Sequence, residues 1–487
     1  MTLNKTSLTI ALSALIIFNI KLGIAADIIL PDLGDSTGRL ISPAQEAALG
    51  DSFFRSIRNQ LNISYDPDIQ AYIQTIGQNL VAHSDNPTQP FYFFVVESDD
   101  INAFAGPGGY IGINSGLILN SDSESELASV MAHEIAHVTQ RHIYRSYEAA
   151  KLMSIPAAAA MIAAIVIATQ APEVGIGALS AIQAGSIQMQ IDFTRDNEQE
   201  ADRIGLQTLA RAEFDPRSMP AFFEKLQHAS RYYGAGAPEF LRTHPITSSR
   251  ISDTRGRAET FPYRQVPNSQ DYRLAKAKLR LNSKQNNLAD VITYFRNRSD
   301  QGTQQQRAAM QYGLGLAYVM QQKFTLAKRI FQQLVKQYPE QVQYLTALAQ
   351  LAVDQRDTET AKKLYLQLYN KHPDNVQFKF EYIAILLKSH KNKQALQELK
   401  LIDYHHQQYP QFFKLLARAY GNLKQNIHSH RYMAEYYYVI GQTNAAILQI
   451  KIAQKEKNIN FHLSAILEDR LTFFADELQA LRELEDL

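Results

Sequence analysis

The 487-residue chain contains no cysteine, has almost no net charge and lacks apolar runs of clear membrane-spanning length. The absence of cysteine excludes disulfide bonds, a cysteine nucleophile and lipid attachment through an N-terminal cysteine. Its 49 basic and 48 acidic residues leave a formal net charge of +1. The chain as a whole therefore has no electrostatic attraction to nucleic acid or to an anionic membrane. Its length exceeds what one core accommodates, so two or three domains are expected.

The N-terminus has the composition of a secretory signal peptide. An apolar run at residues 8–18 follows Lys5, and small residues offer a cleavage point after Ala25 or Ala26. The alternative is a membrane anchor, but Asn19 interrupts the run and leaves it short for a full span. We therefore predict a cleaved signal peptide over residues 1–26.

A second apolar stretch, residues 155–168, is apolar on every side. It is too short for an ordinary membrane span. The pattern predicts a buried helix. The alternative is a hydrophobic lid, or a segment in peripheral contact with a membrane, beside an active site.

Helical and strand patterns alternate before residue 120. Residues 41–60 and 66–84 have the apolar spacing of helices, and the second begins with an Asp-Pro pair typical of a helix start. Residues 90–98 are aromatic and β-branched, which predicts a strand. Residues 101–118 predict two short strands around a Gly-Pro-Gly-Gly turn.

A long helix follows, and its start is marked by Ser123 with Glu126 three residues later, a capping-box pattern. This helix carries His133 and His137, which at a spacing of four residues project from one face and can bind a single zinc ion. Glu134 is placed to take a proton from water rather than to bind the metal. Without further ligands, the same pattern is equally consistent with an ordinary polar helix face.

A zinc site of this type needs a third ligand. His142 lies nearby, but the arrangement with a third histidine in the same segment would need Gly at 140 and His at 143, where the chain has Gln140 and Ile143. The better prediction is the segment at residues 196–205. There Glu198 and Asp202 share one face of a second helix, so Glu198 can bind the metal and Asp202 can accept the free N–H of a liganding histidine. Glu200 points elsewhere and is the weaker prediction for a ligand.

From about residue 265 the sequence becomes rich in Gln, Lys, Leu, Ala and Tyr, and it repeats. The spacing is that of a tetratricopeptide repeat, with small residues where paired helices approach and large ones in the gaps. The matched positions are Leu314, Gly315, Tyr318, Ala327, Phe331 and Pro339 in one copy, Leu348, Ala349, Ala352, Ala361, Tyr365 and Pro373 in the next, and Tyr382, Ala395 and Leu399 in a weaker third. Such helix pairs stack and leave a concave groove for a protein or peptide.

Several ordered motifs resemble the HtpX-like and CAAX-prenyl-protease family of gluzincin metallopeptidases. They are HEIAH at 133–137, EQEAD at 198–202, the preceding NAFAGPGGYIGINSGLI and the later THPITSSRI at 243–251. The resemblance covers roughly residues 40–260. The signal peptide and the repeats narrow it to periplasmic members of the family in Gram-negative bacteria.

The resemblance implies a role for each matched residue. His133, His137 and Glu198 would bind one zinc ion per chain, and Glu134 would be the catalytic base. Asp202 would be either a proton donor or the orienting partner described above. The resemblance also implies that His244 is either a fourth zinc ligand that holds the enzyme inactive or a stabiliser of the oxyanion. Arg250 would pair with a nearby carboxylate. Strand 109–114 would be the edge strand on which the substrate is laid.

The expected fold is an α+β gluzincin-type metallopeptidase domain, mostly helical with a small sheet, followed by an all-α repeat solenoid. The predicted boundaries are 27–264 for the peptidase and 265–487 for the repeats. The resemblance implies a periplasmic zinc endopeptidase that degrades unfolded or misassembled outer-membrane β-barrels and docks on the outer-membrane assembly machinery through its repeats. The alternative is a chaperone or adaptor in which the repeats act and the metal site is mostly idle.

Overall fold

In the computed structural model, the described part of the chain is mostly helical with one small sheet. It comprises residues 42–145, 154–170, 195–233, 238–283, 287–373, 375–403, 409–457 and 459–485. The predicted signal peptide lies outside these residues. The expected fold class is confirmed, and the predicted domain boundaries stay predictions.

Two capped helices open the described chain. Helix α1 (Pro43–Gln60) begins with a capping box, in which Ser42 and Gln45 satisfy each other's backbone N–H groups. Helix α2 (Pro67–Ala82) is capped by Asp66, whose carboxylate accepts from two backbone N–H groups. Both helices lie where the sequence predicts them.

The sheet has three strands, β1 (Tyr92–Val96), β2 (Ala103–Ala105) and β3 (Tyr110–Asn114), in the order β1-β3-β2. Strand β3 pairs in parallel with β1 and antiparallel with β2. The predicted turn between β2 and β3 is present and requires glycine, because Gly109 has a φ of 77° and an added Cβ would lie 2.2 Å from the Pro90 carbonyl oxygen.

The prediction that residues 109–114 form the edge strand is wrong, because β3 is paired on both sides. The outer edge of β1 is also occupied: the Ser64 N–H donates to the Val95 carbonyl, and the side chains of Gln70 and Gln74 donate to the Phe93 carbonyl. Among the described strands, the remaining outer edge is that of β2.

Eight helices complete the first part of the described chain. They are α3 (Ser115–Asn120), α4 (Glu124–Thr139), α5 (His142–Arg145), α6 (Ile155–Gln170), α7 (Arg195–Arg211), α8 (Ser218–Tyr233), α9 (Phe240–Thr243) and α10 (Ser248–Ala258). Helix α4 is buried along nearly its whole length, so it forms the centre of this core. Ser123 caps it as predicted, but the Glu126 carboxylate accepts from the N–H of Asp122, one residue earlier than in a full capping box.

Twelve helices follow in the described residues beyond 265. They are α11 (Gln270–Asn282), α12 (Leu288–Arg298), α13 (Gln304–Met320), α14 (Phe324–Gln337), α15 (Val342–Asp354), α16 (Thr358–Lys371), α17 (Val376–Lys388), α18 (Asn392–Lys400), α19 (Pro410–Asn422), α20 (Asn426–Val439), α21 (Thr443–Gln454) and α22 (Phe461–Glu485). Neighbouring helices pack as pairs. The repeat positions Ala327, Phe331, Ala361 and Tyr365 are buried between them, as their spacing predicts.

The repeat helices pack back onto the first part of the chain at two places. At the start of the repeats, the Lys278 ammonium contacts the carboxylates of Asp66 and Asp68, each at 2.7 Å. At the end, Glu477 of α22 accepts a hydrogen bond from Arg55 of α1 at 3.0 Å. The two parts are therefore held together at both ends of the repeat array.

The apolar segment 155–168 forms most of α6, which packs against α1 and α22. Over residues 155–167, every side chain is buried or half-buried. This packing favours the buried-helix interpretation over a lid or membrane contact. Within the described residues, no helix combines the length and the apolar character that crossing a bilayer requires.

Candidate metal centre

Four side chains from three parts of the fold converge at one buried point. His133 and His137 come from α4, Glu198 from α7, and His244 from the residue that follows α9. The ligand atoms of all four lie within 4.8 Å of one another. The close approach of α7 to α4 depends on Gly205, where an added Cβ would lie 3.1 Å from the His133 backbone nitrogen.

The nitrogen and oxygen atoms of this group face one another at short distances. His133 Nε2 lies 3.0 Å from His137 Nε2 and 3.5 Å from Glu198 Oε2. His137 Nε2 lies 3.4 Å from Glu198 Oε1. Burial lowers the pKa of His137 well below its ordinary value, which favours the neutral imidazole that a metal ligand requires. Imidazole nitrogens with one carboxylate form a donor set that suits zinc, so His133, His137 and Glu198 make a buried potential metal site.

His244 lies against the same group. Its Nδ1 is 3.0 Å from Glu198 Oε1 and 3.4 Å from His133 Nε2, and its Nε2 is 3.4 Å from Glu134 Oε1. The ring therefore stands between the potential ligands and the predicted base. Its stacking against Phe240, with ring centroids 4.7 Å apart, fixes its plane.

Glu134 lies at the sheet side of the group and is only 1% exposed. Burial raises the pKa of its carboxyl group, and a backbone hydrogen bond from Ala105 of β2 acts in the opposite direction. Its Oε1 makes no hydrogen bond in the described structure. The predicted base is therefore anchored to the outer edge of β2, and its Oε1 faces His244 Nε2 at 3.4 Å without a hydrogen bond.

Asp202 contacts His133 on the side away from the group, with Oδ1 3.0 Å from His133 Nδ1. Arg250 donates to both of its carboxylate oxygens at 2.8 Å and also lies 2.6 Å from Glu198 Oε2. Burial opposes charge on Asp202, but hydrogen bonds from Arg250 and His133 lower its pKa below the ordinary value. Burial likewise opposes charge on His133, yet bonds to Asp202 and Glu198 raise the pKa of His133 to about 9. The predicted pairing of Arg250 with a nearby carboxylate is confirmed.

His142 and Glu200 have positions that sequence reasoning missed. His142 is not among the four converging residues, although its Nδ1 lies 2.8 Å from His137 Nδ1 and its Nε2 lies 3.1 Å from Glu200 Oε2. The contact depends on Arg141, whose φ of 56° turns the chain back at the end of α4. No sequence signal marks that turn, since arginine is not typical of the left-handed region.

Comparisons with known proteins identify the family to which this chain belongs. Residues 67–258 match the model of peptidase family M48, and residues 308–340 and 352–419 match models of tetratricopeptide repeats. A Vibrio cholerae protein named "Putative beta-barrel assembly-enhancing protease" is 41% identical over 394 residues, which cover 81% of this chain and 81% of that one. The chain belongs to peptidase family M48. Other relatives are the beta-barrel assembly-enhancing protease of Escherichia coli K12, 33% identical over 93% of this chain and 92% of that one, and the mitochondrial metalloendopeptidase OMA1 of Bos taurus, 33% identical over 32% of this chain and 30% of that one.

Membership in family M48 confirms two predictions from the sequence. The chain is a metallopeptidase, and tetratricopeptide repeats follow its peptidase region. All three residues of the potential metal site lie inside the matched range 67–258, as do Glu134 and Arg250.

Proposed function

We propose that this M48 peptidase is a zinc-dependent endopeptidase of the Gram-negative periplasm that degrades unfolded or misassembled outer-membrane β-barrel proteins. The observation that carries the proposal is the buried convergence of His133, His137 and Glu198 beside a glutamate with a free carboxylate oxygen. The class of substrate comes from relatives named beta-barrel assembly-enhancing protease, and the compartment comes from the predicted signal peptide.

Zinc is the metal that this donor set favours, and His133, His137 and Glu198 would hold it. A bound zinc ion supplies a Lewis acid that polarises a carbonyl oxygen and lowers the pKa of water. Glu134 accepts the proton of the attacking water at Oε1, which makes no other hydrogen bond, and then passes it to the leaving amine. Its raised pKa makes the carboxylate a stronger base for this transfer.

Asp202 is better suited to orienting His133 than to donating a proton. Its two oxygens are held by Arg250 and His133, and its lowered pKa keeps it ionised. A carboxylate that accepts from Nδ1–H fixes the imidazole tautomer and turns Nε2 toward the metal.

His244 is better placed as a fourth metal ligand than as an oxyanion stabiliser. Its Nδ1 lies within 3.4 Å of two of the other potential ligand atoms. A fourth protein ligand closes the coordination position that a catalytic zinc site keeps open. In this arrangement His244 holds the enzyme inactive until the segment that carries it moves.

The outer edge of β2 is the surface on which an extended substrate would lie. Hydrogen bonds from Asn114 N–H to Asn102 O and from Gly106 N–H to Tyr110 O fix the alternation, so the backbone polar groups of Ala103 and Ala105 face away from β3. The Ala105 N–H is bonded to Glu134 and the Ala103 N–H donates to Asn102 Oδ1, so a peptide at this edge would donate to the carbonyl oxygens of Ala103 and Ala105. Main-chain pairing at this edge brings a peptide next to Glu134 and imposes little sequence preference. Substrate selectivity would then depend on which proteins are unfolded and on which proteins the repeats bind.

The second function supported by a specific observation is that of an adaptor or chaperone of the outer-membrane assembly machinery with a largely latent protease. The position of His244 within the potential ligand group favours it. The repeat helices would supply the groove for a protein partner.

The variant Glu134→Gln tests the enzymatic proposal, because it keeps the shape of the side chain and removes the base. We expect casein cleavage to fall by about 10²- to 10⁴-fold while stoichiometric zinc remains bound. The matched control is Glu259→Gln, since Glu259 is 65% exposed on its side chain and lies at the end of α10. Cleavage by Glu134→Gln at the normal rate would contradict the proposal, and rescue of envelope defects by this variant would support the adaptor function.

A further inference from the structure

Both histidines of the α4 motif have a partner at the ring nitrogen that points away from the potential metal site. For His133 that partner is the Asp202 carboxylate. For His137 it is another imidazole, His142, which in turn contacts the carboxylate of Glu200. Glu200 and Asp202 both belong to α7, the helix that also supplies Glu198. One helix therefore reaches both histidines, directly in one case and through an intervening ring in the other.

We propose that His142 and Glu200 are positioning residues that hold the His137 imidazole in the tautomer and orientation that present Nε2 to zinc. The proposal rests on the zinc site proposed above and adds two residues to it. His142 contacts His137, and Glu200 contacts His142, so their effect on the site passes through His137.

The hydrogen atoms can be placed in only one productive order. A histidine that offers Nε2 to a metal carries its proton on Nδ1. His137 therefore donates from Nδ1 to His142 Nδ1, which lies 2.8 Å away and must accept. The proton of His142 then lies on Nε2 and is donated to Glu200 Oε2 at 3.1 Å. Glu200 thus selects the tautomer of His142, and His142 selects the tautomer of His137.

The backbone is shaped to make this contact. On a continuous helix, a residue five positions after His137 would lie about 140° further round the axis and could not meet its ring. The chain instead leaves α4 at Thr139, passes through the left-handed conformation at Arg141 and begins α5 at His142. His142 is fully buried as a result, while the side chain of Glu200 remains 29% exposed. The buried His142 ring therefore connects His137 to Glu200 through both of its nitrogens, which is more than filling space in the core.

Three variants of the full-length protein separate this role from a merely structural one. His142→Phe fills the space without any hydrogen bond, and Glu200→Ala removes the final acceptor. His142→Asn keeps an oxygen that can accept from His137 Nδ1. The matched control is Gln199→Ala, since Gln199 is an exposed neighbour of Glu200 on α7. Zinc affinity is measured by competition with a chromophoric chelator, and melting temperatures are recorded with and without zinc.

We expect His142→Phe and Glu200→Ala to bind zinc about 10- to 100-fold more weakly than the wild type. His142→Asn should recover most of that loss, and Gln199→Ala should change nothing. A tenfold loss of affinity corresponds to about 1.4 kcal/mol less stabilisation by zinc, so the zinc-dependent rise in melting temperature should shrink. The melting temperature of the metal-free Glu200→Ala protein should match that of the metal-free wild type.

Zinc binding within twofold of the wild type in both His142→Phe and Glu200→Ala would overturn the inference while leaving the proposed zinc site intact. An equal fall in melting temperature with and without zinc would also overturn it, because that result marks a structural role. A wild-type protein that binds no zinc would instead refute the proposed function, so the two failures are distinguishable.

Discussion

Replacement of Arg250 by methionine should destabilise the metal-free peptidase core far more than an ordinary surface change. Arg250 is 3% exposed, donates to Asp202 through two hydrogen bonds of 2.8 Å and lies 2.6 Å from a Glu198 oxygen. It also donates to the Pro245 carbonyl at 2.9 Å. Methionine preserves most of the apolar stem but leaves two buried carboxylates without their cation. Removing one partner of a buried ion pair costs about 3–5 kcal/mol.

That loss should lower the melting temperature by about 6–20 °C, since a domain of about 150–250 residues loses roughly 2–4 °C per kcal/mol of destabilisation. The matched control is Arg257→Met on the same helix, where the Asp253 contact has the same 2.8 Å length but the Arg257 side chain is 46% exposed. An exposed pair at this spacing contributes about 0.3–0.5 kcal/mol, so a shift of at most about 2 °C is expected. The measurement is thermal unfolding by circular dichroism in EDTA. Equal shifts for the two variants would refute the reasoning.

The difference in stability between wild type and Arg250→Met should shrink as pH falls from 7.5 toward 4.5. In the wild type, burial opposes ionisation of Asp202 but the Arg250 and His133 hydrogen bonds lower its pKa, so its contribution to stability is fully present throughout this range and is lost only below its unfolded-state pKa. In the variant, burial without the cation raises the pKa of Asp202, so the carboxyl group becomes neutral as pH falls and part of the destabilisation is relieved. A gap that stays constant over this range would contradict the assignment. His244→Ala should raise casein cleavage if the residue closes the metal site and abolish it if it stabilises the oxyanion, whereas unchanged cleavage would remove it from both roles. Lys278→Met should destabilise the fold by about 3 kcal/mol in urea unfolding, the lower end for a buried pair because the Lys278 side chain is 18% exposed, since it leaves the buried Asp68 carboxylate without its cation. An unchanged midpoint would mean that this contact does not stabilise the junction between the repeats and the first part of the chain.

Local patterns predicted most of the elements because their signals lie within a few residues. The Asp66-Pro67 start of α2, the Ser123 cap of α4 and the turn between β2 and β3 all occur where the sequence places them. The repeat positions were equally accessible, since small residues such as Ala327 and Ala361 must be buried where helices approach. These features depend on spacing and on backbone chemistry, which a single sequence displays directly.

The order of the strands in the sheet could not be predicted from local sequence patterns. The sequence predicted two short strands around the turn, but nothing local specifies that β1 joins β3 in parallel. That pairing converts β3 from an edge strand into the central one. The edge that we propose for substrate is therefore that of β2, and this correction follows from long-range strand pairing rather than from any residue in β3.

The site was predicted unevenly for a related reason. A spacing of four residues predicted that His133 and His137 share one helix face and that Glu198 and Asp202 share a face of a second helix. The resemblance to the family added His244 and Arg250. His142 was weighed only as a metal ligand, because spacing along a helix gives no account of a residue beyond the helix end. Its contact with His137 exists only after the chain reverses at Arg141.

Helix α7 determines how tightly the metal site can be held. It supplies the carboxylate of Glu198 to the ligand group and the carboxylate of Asp202 to His133, so the ligand and the orienting group move together. Its distance from α4 is set two turns after Glu198 by Gly205, where a methyl group would lie 3.1 Å from the His133 backbone nitrogen. Arg250 of α10 contacts the carboxylates of Glu198 and Asp202. The cation that neutralises these two groups therefore also fixes the rotation of α7 about its axis. His244 comes from neither α4 nor α7 but from the residue after the short helix α9, so a reversible fourth ligand would have to release this segment together with the Pro245 carbonyl that Arg250 holds.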